Sequence, residues 1–433
     1  MRFLGIGETC DLGALYLALI AEGHEVRVGV TEPLAAGTLA GLVPTVADWR
    51  AELAWLREGS DLGIILFESV SEGFGALQDE LRRDGYLVVG GSAYGDRLEN
   101  DRAFAQGILS ELGFSPGRVQ SFADPAEALA FVAVRPDRYV LKVSGADHAA
   151  SDTYVGRLAD GRDVAAMLRV RAARGDRRPL ILMEHLDGVE MGVGAYFDGE
   201  RFLEPACLDW EHKRFFAGDL GELTGEMGTV VTYARTNTFF ERTLKRVAPL
   251  LRAGGYCGYV NLNTIVNEAG IWPLEFTCRF GYPGYAILDP LQETPWGELF
   301  RAMATRSGGP LRTRPGYCVG VVVTTPPFPY SRHEVEATVG LPVLLDPADA
   351  AHHHYGEVGL DEGGNLVTSG LYGWTLVVTG VGGSIARAKD EAYARVGRVM
   401  VPDARYRLDI GDRLIAGEFA RVEALGLLDP PGR

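Results

Sequence analysis

Cysteine is scarce in this chain of 433 residues: Cys10, Cys207, Cys257, Cys278 and Cys318 are odd in number, scattered, and never spaced as Cys-x-x-Cys. This excludes a disulfide framework or a thiolate zinc site and fits reduced, packed thiols in a cytoplasmic protein. Basic charge is also short. Lys and Arg total 42 against 58 Asp and Glu, a net charge of −16, which argues against nucleic acid as a partner. No apolar run approaches the roughly 20 residues that span a bilayer. The opening Met1-Arg2-Phe3-Leu4-Gly5-Ile6-Gly7 turns into a glycine loop too early for a secretory signal. Internal repeats and low-complexity tails are absent. His352-His353-His354 is a poor metal motif, because adjacent residues on a strand cannot all face one ion.

What is present is enough for roughly two to four domains. Residues 1–113 read as an N-terminal doubly wound α/β domain, with strands at Phe3–Gly7, Glu25–Val30, Asp61–Leu66 and Tyr86–Gly90 alternating with helices. Ligands of such sheets lie beyond the carboxyl ends of the strands, here the loops Gly7–Gly13 and Glu68–Gly73. That makes Glu8, Asp11 and Glu68 candidate substrate contacts. Gly5-x-Gly7 lacks the spacing and the acidic ribose contact of a dinucleotide site. An amphipathic helix over Asp101–Leu112 precedes a junction at Gly113–Gly117. Beyond it, the strand Arg138–Val143 carries Lys142 and runs into the small polar loop 144–152. A lysine followed by such a loop suits phosphate, although the loop is not a Walker A sequence.

Val260–Val266 and Ile271–Phe280, joined by a polar turn ending in Gly270, read as a β-hairpin. In it Asn261 and Asn263 share a face, as do Glu275 and Thr277, with Arg279 just beyond. Such a polar lining suits a surface hairpin in water. It equally suits a buried site in which a metal and a phosphate supply the missing partners, since an unpaired buried polar group costs about 1–3 kcal/mol. Glu184 and Glu190 bracket a connection between two strands. The glycine-rich stretch Ala217–Gly228 reads as a lid over substrate.

Taken in order, these motifs resemble the ATP-grasp superfamily, and within it the phosphoribosylamine–glycine ligases. The resemblance rests on the Lys142 strand and on Glu184-His185-Leu186-Asp187-Gly188-Val189-Glu190. It rests also on His212-Lys213-Arg214 with Thr224-Gly225-Glu226-Met227-Gly228, on Leu274-Glu275-Phe276-Thr277-Cys278-Arg279-Phe280-Gly281, and on the tail motifs Thr368-Ser369-Gly370 and Tyr406–Gly411. It implies an ATP-grasp fold of α/β and α+β parts: lobe A at 114–183, lobe B with the metal strand at 184–309, and a C-terminal β-rich domain at 310–433. The implied reaction converts a carboxylate to an acyl phosphate with ATP and Mg²⁺ or Mn²⁺, and an amine then attacks to give an amide. In that scheme Arg102, Lys142, Glu184, Leu186 and Glu190 hold ATP, and Glu275, Thr277 and Asn263 hold the metal. Lys213 and Arg279 are catalytic, and Thr224 and Gly225 contact substrate. The implied partners are small-molecule amine and carboxylate substrates, with monomer and homodimer both open.

The departures concern the acceptor. The family's Gly-Gly-Arg-Glu-His loop after the first strand is Gly7-Glu8-Thr9-Cys10-Asp11-Leu12-Gly13 here, and its C-terminal Gly-Gly-Arg is Gly370-Leu371-Tyr372. A sugar phosphate needs cationic or N–H donors, whereas Glu8 and Asp11 suit an amine, a hydroxyl or a cation. Three readings stay open: a ligase with a diverged acceptor, the purine-biosynthetic phosphoribosylamine–glycine ligase itself, and a nucleotide-binding protein without catalysis.

Overall fold

The computed structural model describes residues 1–9, 12–58, 62–68, 73–115, 117–143, 153–329 and 338–431. Asp11 and the loops 69–72 and 144–152 lie outside them. The first sheet is parallel, with β1 (Arg2–Gly7), β2 (Glu25–Val30), β3 (Gly63–Phe67) and β4 (Leu87–Val89) in the order β2-β1-β3-β4. Its strands read as nearly unbroken apolar runs because helices cover both faces, and Phe3, Leu4, Ile6, Ile64 and Ile65 are fully buried. The expected doubly wound N-terminal unit is present.

The helix Arg102–Glu111, capped by Asp101, leads to a second sheet ordered β5-β8-β6-β7. It contains β5 (Val119–Phe122), β6 (Tyr139–Val143), β7 (Tyr154–Val155) and β8 (Leu180–Glu184). Alternation in β6 buries Tyr139, Leu141 and Val143, the first two within the core of this lobe, and leaves Val140 and Lys142 only partly buried on the other face. Antiparallel pairing sets Val140 opposite Met183 and Lys142 opposite Ile181, so one lysine stands on an otherwise apolar floor.

After β8 the chain crosses to β9 (Val189–Phe197) and β10 (Phe202–Glu211), then makes a small hairpin, β11 (Arg214–Phe216) with β12 (Leu220–Leu223). There follow β13 (Gly228–Thr232), β14 (Gly258–Asn267), β15 (Gly270–Thr277), β16 (Tyr317–Thr324), β17 (His353–Tyr355), the pair β18 (Val358–Leu360) and β19 (Leu366–Thr368), and β20 (Trp374–Gly382). Eight of these strands form one sheet, β15-β14-β9-β10-β13-β16-β20-β17. The sheet therefore runs without a break from residues before 309 to residues after 310. The β14–β15 hairpin has the expected turn, which Asn267 closes by accepting from Ala269 N and Gly270 N.

The His triplet is structural. His352 Nδ1 and His354 Nε2 both meet the Thr379 hydroxyl, at 3.2 and 3.1 Å. Burial, with its two histidine neighbours, pushes His354 down to about 3, while an unfolded histidine titrates near 6.5. The unfolded chain therefore takes up this proton first as pH falls. The stability His354 confers is whole above pH ~6.5 and is lost progressively below it, at up to about 1.4 kcal/mol per pH unit. His354→Gln is expected to flatten the fall of Tm between pH 6.5 and 4, which thermal melts by circular dichroism check; an unchanged slope contradicts it.

Candidate active site

Polar residues converge where β9, β10, β14 and β15 lie side by side. Register places Asn263 opposite Glu275 and Asn261 opposite Thr277 across the hairpin, and Asn263 opposite Gly192 and Asn261 opposite Gly194 on β9. The Asn263 amide donates to Glu190 at 3.0 Å and to Glu211 at 3.2 Å, and the Asn261 amide donates to Asp209 at 2.6 Å. Gly192 makes the room: a Cβ there would stand 2.2 Å from the Asp209 carboxylate.

At the centre is Lys213. Its ammonium lies 3.0 Å from Glu275, 3.1 Å from Glu190 and 3.1 Å from Glu211. Burial opposes the charge, but Glu211, Glu190 and Glu275 hold the lysine well above its ordinary range. Lys213 in turn holds Glu275 down at about 2. Burial and the neighbouring Glu211 push Asp209 up, and burial with Glu211 and Asp209 pushes Glu226 up. One oxygen each of Asp209 and Glu226 is buried without a partner. The interior thus holds more carboxylate than Lys213 alone neutralises, the condition under which a further hard cation is stabilising.

Across the cleft the charge reverses. Lys142 on β6 is pushed down to about 8 by burial and by the nearby Arg102 guanidinium. Arg102, at the start of its helix, reaches over β8 and donates to Met183 Sδ at 3.2 Å. Arg279, just past β15, is fixed by Glu99 at 3.0 Å, and the other oxygen of Glu99 accepts from Cys278 N at 2.7 Å. A basic, partly apolar wall faces an acidic one, an arrangement suited to a polyphosphate bound through a cation.

Residues 100–285 match the family described as phosphoribosylglycinamide synthetase, ATP-grasp (A) domain. These residues are thus similar to that ATP-grasp domain. A phosphoribosylamine–glycine ligase of Leifsonia xyli is 29% identical over 437 residues, covering 95% of this chain and 100% of that protein. The crystal structure of a phosphoribosylamine–glycine ligase from Thermotoga maritima superposes with a TM-score of 0.70 at 21% identity, over 95% of this chain and 100% of that one. The biotin carboxylase domain of the Hydrogenobacter thermophilus 2-oxoglutarate carboxylase, solved with MgADP, ADP and bicarbonate, gives a TM-score of 0.61 at 11% identity, over 96% and 98% of the two chains.

The fold brings most of the residues singled out in the sequence together: Arg102, Lys142, Glu190, Lys213, Asn263, Glu275, Thr277 and Arg279. Glu190, expected to hold ATP, faces Lys213 and Asn263. Arg279, expected to be catalytic, is paired with Glu99. Thr224 is turned inward, its N–H and its hydroxyl both donating to the Lys213 carbonyl at 2.8 Å, and so positions that lysine. Gly225 is exposed beside it. Glu184 stands at the crossing from β8 with its N–H donated to Arg118 O at 3.0 Å, and Leu186 follows on the same connection.

Glu68, a candidate substrate contact, is 6% exposed. Its carboxylate accepts from Leu12 N at 3.4 Å and from the Tyr16 hydroxyl. It therefore anchors the start of the first helix and does not face open solvent. Glu8 is exposed next to that corner.

The lid expected at 217–228 is corrected by its anchorage. The fully buried Arg407 donates to Asp219 at 2.8 Å, to Asp409 at 2.6 Å and to the Arg214 carbonyl at 2.9 Å, and Gly218 N donates to Asp409 at 2.9 Å. The β11–β12 hairpin is therefore tied to the C-terminal segment.

Sequence reasoning passed over Asp209, Glu211, Glu226 and Glu99. The first two carried a readable signal. Asp209, Glu211 and Lys213 are spaced i, i+2, i+4 and so share one face of an extended chain, while Trp210 and His212 take the other.

Proposed function

We propose that this chain is an ATP-dependent carboxylate–amine ligase of the phosphoribosylamine–glycine ligase type, forming an amide through an acyl phosphate, with a diverged acceptor site. The observation that carries the reading is the ring of Glu190, Glu211 and Glu275 closed on Lys213, facing Lys142 and Arg102 across the cleft. Among the described residues no three acid, imidazole or thiol side chains are grouped so as to hold a metal ion, and the Lys213 ammonium lies between the three carboxylates. The donor set still suits Mg²⁺ or Mn²⁺: the ligands are oxygens, and the neighbouring Asp209 and Glu226 each keep a buried oxygen without a partner. Glu275 and Glu211 would hold the ion, with Asn263 and Thr277 beside them. When bound, the ion would supply positive charge that offsets the charge of the phosphates.

The chain's own groups then have distinct tasks. Lys142 and Arg102 draw the triphosphate onto the apolar floor of β6 and β8. The backbone of Glu184 and Leu186 meets the adenine edge. Lys213, freed from one carboxylate as the nucleotide arrives, stabilises charge on the phosphoryl group in flight, and Arg279 orients the carboxylate that receives it. Holding amine and acyl phosphate together is a proximity effect worth up to roughly 7–11 kcal/mol.

The test is ADP release with ATP, Mg²⁺, glycine and a panel of amines. Release that requires both carboxylate and amine supports the reading; release needing neither, or none across the panel, contradicts it.

Lys142→Ala is expected to raise the apparent KM for ATP about ten- to a hundredfold, since a charged hydrogen bond to phosphate is worth about 1.5–3 kcal/mol. An unchanged KM and kcat would place Lys142 outside the nucleotide site.

A further inference from the structure

Glu357 lies just beyond β17, is 1% exposed, and is surrounded by backbone donors. Its carboxylate accepts from Leu371 N at 2.9 Å, Tyr372 N at 3.1 Å, Gly373 N at 2.7 Å and Trp374 N at 2.9 Å. Four successive amides aimed at one point form an anion nest, the backbone device proteins use to hold phosphate. Here the chain supplies the anion itself. Gly370 is fitted to that occupant, because a Cβ at this position would stand 2.1 Å from the Glu357 side chain.

The nest coincides with the stretch Gly370-Leu371-Tyr372, where the resembling ligases carry Gly-Gly-Arg. It also sits where the C-terminal segment meets the N-terminal unit. Leu39 N donates to Val358 O at 2.8 Å, and a Cβ on Gly13 would lie 3.2 Å from the Tyr355 carbonyl. The wall beside it is aromatic, with Tyr372 and Trp374 at 5.1 Å between centroids and Tyr282 stacked on Trp374 at 5.4 Å. The Trp374 indole N–H is buried without a partner.

We propose that Glu357 is a built-in anion that fills the phosphate nest of the acceptor pocket, so that the amine substrate of this ligase carries no phosphate. The proposal rests on the ligase reading above. It narrows the acceptor to an uncharged or cationic amine whose body lies against Tyr372 and Trp374. A phosphate entering this corner would have to displace a buried carboxylate from four hydrogen bonds and would meet its charge.

The experiment is calorimetric titration of ribose 5-phosphate into protein whose nucleotide site is already saturated with a non-hydrolysable ATP analogue and Mg²⁺. Wild-type protein is expected to show no saturable binding in the millimolar range. Glu357→Ala empties the nest and is expected to bind at least about tenfold more tightly than wild type, the gain of charge-assisted bonds. Glu357→Gln keeps the nest filled and gains nothing. Saturable binding by wild type overturns the proposal, as does a Glu357→Ala protein that binds the nucleotide analogue normally yet gains no affinity. Should Glu357→Ala not fold, the wild-type titration decides alone. The analogue titration reads the ligase proposal separately: protein that binds both analogue and sugar phosphate loses only the Glu357 inference, and protein that binds no nucleotide loses the ligase reading.

Discussion

Glu275→Gln is expected to lower ATP turnover by about a hundredfold or more at ordinary Mg²⁺, with the fold intact. The amide keeps the shape of the carboxylate but gives up the charge a hard cation needs, and even residues behind a metal ligand cost roughly 10–100-fold when changed. Half of the Glu275 side chain is open to the cleft, so its neutral replacement leaves no buried charge unpaired. Lys213 also keeps Glu190 and Glu211. Far-ultraviolet circular dichroism should match wild type, while ADP release should require much more Mg²⁺. A variant with wild-type turnover and wild-type Mg²⁺ dependence would make the hairpin structural.

Arg407→Met is expected to have the largest effect on stability. Breaking a buried ion pair by removing one partner costs about 3–5 kcal/mol. The lower end applies here, because Asp219 is 40% and Asp409 21% exposed and water can reach both. Although burial opposes it, Arg407 holds Asp409 down at about 2. That contribution is whole above pH ~4 and fades as pH falls toward 2, so the defect should be plain at neutral pH. The β11–β12 hairpin loses its anchor in the same variant. Limited proteolysis should then cut within residues 214–223 faster than in wild type, alongside a lower Tm. Unchanged cleavage and an unchanged Tm would contradict the anchoring role.

The parts of the site legible in the sequence are those whose geometry is local. Strand alternation put Asn261 with Asn263 and Glu275 with Thr277 on shared faces, whereas their pairing across the hairpin depends on a register shift between Asn263 and Thr264 that the Asn-Glu-Ala-Gly turn does not announce. Lys142 stood out because β6 is otherwise apolar. Glu357 was invisible: its partners lie 14–17 residues away and are backbone amides, which have no residue signature. The lid reading failed for the same physical reason. A glycine count measures the freedom of an isolated loop, whereas the loop's anchor, Arg407, is 188 residues from Asp219. Glu190 was assigned from its place in a motif, yet the structure closes it on Lys213, a partner chosen by the sheet and not by the neighbouring sequence.

The most direct test of the ligase reading follows the carboxylate oxygen. With an accepted amino acid labelled with ¹⁸O in its carboxylate, together with ATP, Mg²⁺ and the amine, an acyl phosphate must hand one labelled oxygen to the phosphate released as the amide forms. Mass spectrometry of the inorganic phosphate is expected to show one ¹⁸O per turnover; unlabelled phosphate released alongside amide would contradict an acyl-phosphate ligase.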